Sequence, residues 1–115
     1  MPKAGLQFSK KDEWYTPKEI VDFFGPFDYD PATTDERAKE FGISNYDTVA
    51  TNGLLADWTK YENIWLNPPF TKKFEFLKKA VDCKKHVFVL LPIETLTTKK
   101  FHEICNGGGV YYVGS

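Results

Sequence analysis

The run His-Val-Phe-Val-Leu-Leu at residues 86–91 constrains this chain more than any other stretch. It is apolar throughout after its histidine, short, and closed by Pro92. Such a run reads as a strand buried on both faces, at the centre of a parallel sheet covered by helices. The flanking sequence fits that frame. Thr16-Pro17-Lys18-Glu19 reads as a helix start, with Thr16 as cap, Pro17 in the first helical position and Glu19 three residues after the cap. Ile20, Val21, Phe23 and Phe24 supply an apolar face, and Gly25-Pro26 ends that helix. Phe27-Asp28-Tyr29-Asp30 alternates like a short strand stopped by Pro31. Residues 35–41 form a short helix stopped by Gly42. Residues 43–60 are the least regular part, with a turn at Asn52-Gly53. A second strand at 63–66 ends at Pro68-Pro69. A helix capped by Thr71 buries Phe74, Phe76, Leu77, Ala80 and Val81 and closes on Lys84-Lys85, since basic residues suit a helix C-terminus. A fourth helix at 98–105 stops at Gly107-Gly108-Gly109, and a last strand covers 110–113. Helices and strands alternate throughout, which predicts an α/β fold with a parallel sheet and helices on both faces. Ligands of such sheets sit at the carboxyl ends of the strands.

With 115 residues, the chain is the size of one domain, since domains cluster at roughly 100–150 residues. Residues 1–13 read as a polar, mobile arm, and 14–115 as the domain. Fifteen basic against 16 acidic residues leave a net charge of −1. That argues against a protein that coats nucleic acid, which is strongly basic, and leaves room for a local nucleic-acid site. No apolar run approaches the roughly 20 residues that span a bilayer, and the first residues lack the apolar core of a signal peptide. Cys83 and Cys105 do not make a disulfide framework, so reduced thiols in a cytoplasm are expected. Cys83 with His86, and His102 with Cys105, have spacings that suit zinc, but each pair lies on separate elements and ordinary packing is the better reading; no metal is expected. The chain ends two residues after its last strand, so a sheet shortened at its C-terminus is also expected.

Three strands end in a polar residue beside proline or in proline itself: Asp30-Pro31, Asn67-Pro68-Pro69 and Leu91-Pro92. Asn67-Pro68-Pro69-Phe70 is the sharpest of them. An exocyclic amino group has two hydrogens to donate, and the Asn67 side-chain carbonyl with the Pro68 backbone carbonyl can accept both. Held that way, the nitrogen turns its lone pair towards an electrophile. The prolines stiffen the loop and remove competing N–H donors. Phe70 offers a flat face on which a base can stack. No strong base is required, because the amino proton becomes acidic once the nitrogen is alkylated. Lys72 and Lys73 follow directly at a helix N-terminus, where positive charge is unfavourable, so they are either a solvated helix start or candidates to meet phosphates.

The chain resembles the phage-type, Dam-like DNA N6-adenine methyltransferases. The resemblance rests on Trp14-Tyr15-Thr16-Pro17, on Phe27-Asp28-Tyr29-Asp30-Pro31-Ala32-Thr33, and on Asn52-Gly53-Leu54 with Asp57-Trp58. It continues through Trp65-Leu66-Asn67-Pro68-Pro69-Phe70 and Val89-Leu90-Leu91-Pro92. It implies a small Rossmann-like sheet that uses S-adenosylmethionine and acts on duplex DNA with a flipped adenine, in the cytoplasm of a phage or prophage host. By similarity Thr16 and Pro17 touch the methionine carboxylate of the cofactor; Trp14, next to them in sequence, either anchors the arm to the core or covers the cofactor. Asp30, Pro31 and Ala32 form its binding loop, Asp57 accepts from its adenine amino group, and Asn67, Pro68, Pro69 and Phe70 form the catalytic loop. A sulfonium, an ammonium and ribose hydroxyls all suit carboxylate partners. The ribose partner is unassigned, with Asp35 and Asp47 as candidates. Two other readings stay open: a protein glutamine N5 methyltransferase, which uses the same loop and needs no cationic surface, and a truncated DNA-binding remnant without catalysis.

Overall fold

The computed structural model describes residues 16–105 and 110–113. The expected arm and Trp14 lie outside them. Three parallel strands form the sheet: β1 (Asn63–Leu66), β2 (His86–Leu90) and β3 (Val110–Val113), in that spatial order. Asn63 aligns with His86 and Val87 with Val110. Four helices accompany them: α1 (Lys18–Phe24), α2 (Asp35–Phe41), α3 (Lys73–Cys83) and α4 (Lys99–Cys105).

Two flanking segments extend the sheet beyond β1 by isolated bridges. Tyr29 bridges Ile64 and Asp30 bridges Tyr46, both parallel. The Asp28 N–H donates to Asn63 and the Trp65 N–H to Tyr29, while Asp30 N–H donates to Asn45 and Asp47 N–H to Asp30. The chain therefore lays 45–47, 28–30, β1, β2 and β3 side by side, so in chain order the lanes run 2-1-3-4-5. This corrects two expectations. The 27–30 stretch is a pair of bridges rather than a full strand, and the irregular 43–60 region contains a lane of the sheet.

Alternation along the strands sorts the core onto two faces. Ile64, Leu66, Val87 and Val89 face α3 and α4 and pack with Phe76, Leu77, Ala80 and Phe101. Trp65 and Leu90 face the other way and pack with Val21 of α1 and Phe41 of α2. This two-sided burial is what the apolar run of β2 demands. Helix ends follow local chemistry at three places. Thr34 Oγ1 caps α2 by accepting from Arg37 N–H at 3.1 Å, and Gly42 ends it at φ +72°. Thr98 Oγ1 accepts from Phe101 N–H at the start of α4. At α1 and α3 the expected caps give way: α1 follows Pro17 with no side-chain cap, and α3 begins at Lys73 after a 3-10 turn, Phe70–Lys72.

Candidate active site

The lane order singles out one edge of the sheet as the candidate place for a ligand. From 28–30 the chain leaves to one side, to 45–47, and returns on the other, to β1. Loops that diverge in this way open a crevice at the carboxyl ends of the two central lanes. Asp30-Pro31 and Asn67-Pro68 stand there. A cavity of about 330 Å³ lined by α1, α2 and residues 25–27 and 42–43 lies at the opposite, amino ends of the first two lanes and has no part in this crevice.

Residues far apart in sequence meet at the crevice. Asn67 Nδ2 donates to Thr16 Oγ1 at 2.9 Å, across 51 positions of chain. Thr16 has no exposure at all. Its carbonyl accepts from Arg37 Nη2 of α2 at 3.4 Å. Thr16 thus serves tertiary structure where local pattern alone reads a helix cap. Fixing the Nδ2 of Asn67 also fixes the direction of its carbonyl Oδ1.

Asp30 is 2% exposed and accepts from the Ala32 N–H at 3.1 Å. Burial pushes its carboxyl up to about 7, against the opposing pull of that N–H and of the Arg37 guanidinium. A carboxyl held this way favours any ligand that brings positive charge. On the next lane Asp47 accepts from the hydroxyl of Tyr29, whose own pKa is pushed upward by burial and by Asp47. Asp47 is tied directly to Asp30 through the backbone bond of 2.9 Å.

The 48–60 connection braces this edge. Asn52 sits at φ 60°, and its Oδ1 accepts from Leu54 N–H. Gly53 lies so close to the Asp30-Pro31 turn that an added Cβ would stand 2.0 Å from the Pro31 carbonyl oxygen. The Gly53 carbonyl in turn accepts from Trp58 Nε1 at 2.8 Å. Asp57 is exposed and caps a short 3-10 turn, accepting from Thr59 N–H at 3.0 Å, and Thr59 holds its carboxyl below the usual range. No described hydrogen bond joins Asp57 to Asp30 or Asn67.

The structure separates the two lysines beyond the loop. Lys72 is exposed, whereas Lys73 is 9% exposed with Nζ 4.1 Å from the Phe70 ring centre. Phe70 itself keeps 45% exposure. Sequence reasoning missed Arg37, the chain's single arginine, and Tyr29 as the support of Asp47. It also missed Thr95, fully buried in the turn after β2, whose hydroxyl has no partner among the described residues. The rarity of arginine here was the one available signal. No group of three or more His, Cys, Asp or Glu among the described residues is placed to hold a metal ion, and no described helix is long and apolar enough to cross a membrane.

The described chain is thus an α/β protein with a parallel sheet and an amide-Pro-Pro-aromatic loop at the carboxyl end of β1. Residues 3–112 match the family described as DNA N-6-adenine-methyltransferase (Dam), and the chain belongs to that family. A DNA N-6-adenine-methyltransferase of Escherichia phage T1 is 31% identical over 94 residues, which cover 76% of this chain and 38% of that relative. The chain thus spans well under half the length of the curated relative it matches. No solved structure matches it.

Proposed function

We propose that this chain methylates the N6 amino group of adenine in DNA, with S-adenosylmethionine as donor. The carrying observation is Asn67, whose amide stands at the carboxyl end of β1 with its orientation fixed through buried Thr16. Family membership supports adenine in DNA as acceptor over a protein glutamine. We read the described sheet as the Rossmann-like core of such an enzyme, encoded by a phage or prophage and working in the host cytoplasm.

The donor set fits S-adenosylmethionine. Asp30 is a buried carboxyl raised to about 7, suited to a cationic partner, and Asp47 adds a second carboxylate on the adjacent lane. When bound, the cofactor supplies a methyl group on an electrophilic sulfonium. Asp30 with the Pro31 and Ala32 backbone would hold its charged end, and Asp47 is the carboxylate placed for ribose hydroxyls. Thr16 accepts from Asn67 and still has a hydroxyl proton to donate to the methionine carboxylate beside Pro17. Asp57, with Oδ1 committed to Thr59, would meet the adenine amino group through its other oxygen. Trp14 is assigned to cover the cofactor from its place in the sequence beside Thr16-Pro17.

On the acceptor side the target adenine leaves the duplex stack, because the reacting nitrogen is not accessible within it. Asn67 Oδ1 and the Pro68 carbonyl accept the two amino hydrogens and turn the nitrogen lone pair to the methyl. Pro69 holds the loop rigid and Phe70 stacks on the base. The rate gain comes chiefly from this positioning. Exposed Lys72 is the candidate for a nearby phosphate.

The test is incubation with S-adenosylmethionine and duplex DNA from a methylation-free host, followed by nuclease digestion and mass spectrometry. N6-methyladenine is the expected product. Methylation of a translation release factor with none on DNA would replace this reading with glutamine N5 chemistry.

A further inference from the structure

Lys73 is placed where a lysine is costly. It is the first residue of α3, where the helix dipole disfavours a cation. It is 9% exposed, and no ion pair to it forms among the described residues. Burial lowers its pKa, against the opposing pull of Glu94. Its described partners are ring faces: Nζ lies 4.1 Å from the centre of Phe70 and 5.2 Å from that of Phe74.

The backbone explains the placement. Phe70–Lys72 is a 3-10 turn, closed by the Lys73 N–H donating to the Phe70 carbonyl. In that geometry side chains three apart eclipse. Lys73 is thereby set over Phe70 by the turn that follows the two prolines. A ring so covered is restrained in its rotation, and one of its faces is taken by the ammonium.

We propose that Lys73 is a positioning residue for the target base: its ammonium, seated on one face of Phe70, holds that ring so that its other face receives the flipped adenine. Lys73 does not neutralise a DNA phosphate. The inference rests on the function proposed above, since it takes Phe70 as the stacking face for a base.

The test uses the full chain as Lys73→Met and Lys73→Arg. Methionine keeps an unbranched chain one atom shorter and removes the charge, and arginine stacks on aromatic faces as lysine does here. Lys73→Met is expected to lower kcat/KM for DNA by about thirty-fold, the scale of a desolvated cation–π contact, and Lys73→Arg to recover most of it. The salt dependence of DNA binding should be the same in both variants as in the original chain. A slope reduced by about one in Lys73→Met would instead mark a phosphate contact and overturn the proposal, as would unchanged kcat/KM. A second readout needs no activity. The side-chain methylene protons of Lys73 next to Nζ should be shifted upfield, chiefly by the nearer Phe70 ring, and in Phe70→Leu the shift should fall to the smaller contribution of Phe74. Ordinary lysine shifts in the original chain would refute the contact. A chain that makes no N6-methyladenine but keeps the ring-current shift would refute the proposed reaction and, with it, the role of Lys73 towards a base.

Discussion

The crevice edge and the 48–60 connection are neighbours with opposite construction. At the crevice, Asn67 reaches Thr16 across 51 positions and Arg37 reaches Thr16 across 21. In the connection, side-chain bonds are local: Thr48 N–H to Thr51 and Asn52 to Leu54 span three and two positions, and Trp58 to Gly53 spans five. Their carboxylates differ in the same way. Asp30 is buried and pushed up to about 7, while Asp57 is exposed and held low by Thr59. A local capping carboxylate costs the fold nothing. A buried one is kept against its solvation preference, and the crevice is where the chain accepts that cost.

The strongest way to break the contrast is Thr16→Val. Loss of the hydroxyl releases the Asn67 amide from its long-range anchor. Methyl transfer should fall by about a hundred-fold, as expected for a reacting group displaced by roughly an ångström. Single-turnover assays at saturating cofactor will measure it. Transfer at the original rate would show that the anchor is dispensable.

Gly53→Ala attacks the join between the two regions. Its Cβ would stand 2.0 Å from the Pro31 oxygen, so backbone must move. A loss of about 1–3 kcal/mol is expected from such overpacking, with weaker cofactor binding, by denaturant titration and calorimetry. Gly42→Ala, strained by φ +72° but open in space, should cost about 1 kcal/mol and leave cofactor binding intact.

Asp30→Asn sharpens the electrostatic half. The folded carboxyl titrates at about 7 against 3.8 in the unfolded chain. Between those values the unfolded chain loses its proton first, so the original protein should lose stability as pH rises from about 4 to about 7 and level off above. The asparagine variant should lack that decline and be the more stable of the two at pH 7, while binding cofactor less well. Cofactor affinity of the original chain should rise through the same pH range if, as proposed, the ionised carboxylate receives the cation. A flat stability profile in the original chain would contradict the burial argument.

The smallest effect belongs to Asp57→Asn. The amide keeps an oxygen for the Thr59 cap, so unfolding should shift by less than about 0.5 kcal/mol. Cofactor affinity should drop by a few-fold, well below the loss in Asp30→Asn. A larger loss at Asp57 than at Asp30 would invert the contrast.

Much of the frame was legible because it rests on local grammar. The apolar run of β2, the limits of β1 and α2, and the placement of Asn67-Pro68 at a strand end follow from burial, breakers and caps. What escaped depends on distance. The 45–47 lane has no apolar alternation and is held by backbone bonds to Asp30. Thr16 stands in a sequence that fits a helix cap, and a bond from Asn67 overrides that local preference. Lys73 reads as a surface lysine until the 3-10 turn sets it over Phe70. Among the candidate site residues, Asp30-Pro31 was marked by its strand end, whereas the roles of Ala32 and Asp57 were reached through family resemblance, since composition alone does not distinguish a binding carboxylate from a turn.

The most direct test of the account compares the original chain with Asn67→Ala in two measurements on the same samples: S-adenosylmethionine binding by calorimetry, and N6-methyladenine formed in duplex DNA by mass spectrometry. The expected result is closely similar cofactor affinity with methylation lost by at least about a hundred-fold, since in the proposed reaction Asn67 orients the acceptor and not the donor. Undiminished N6-methyladenine from Asn67→Ala would contradict the assignment of this crevice as the place where transfer occurs.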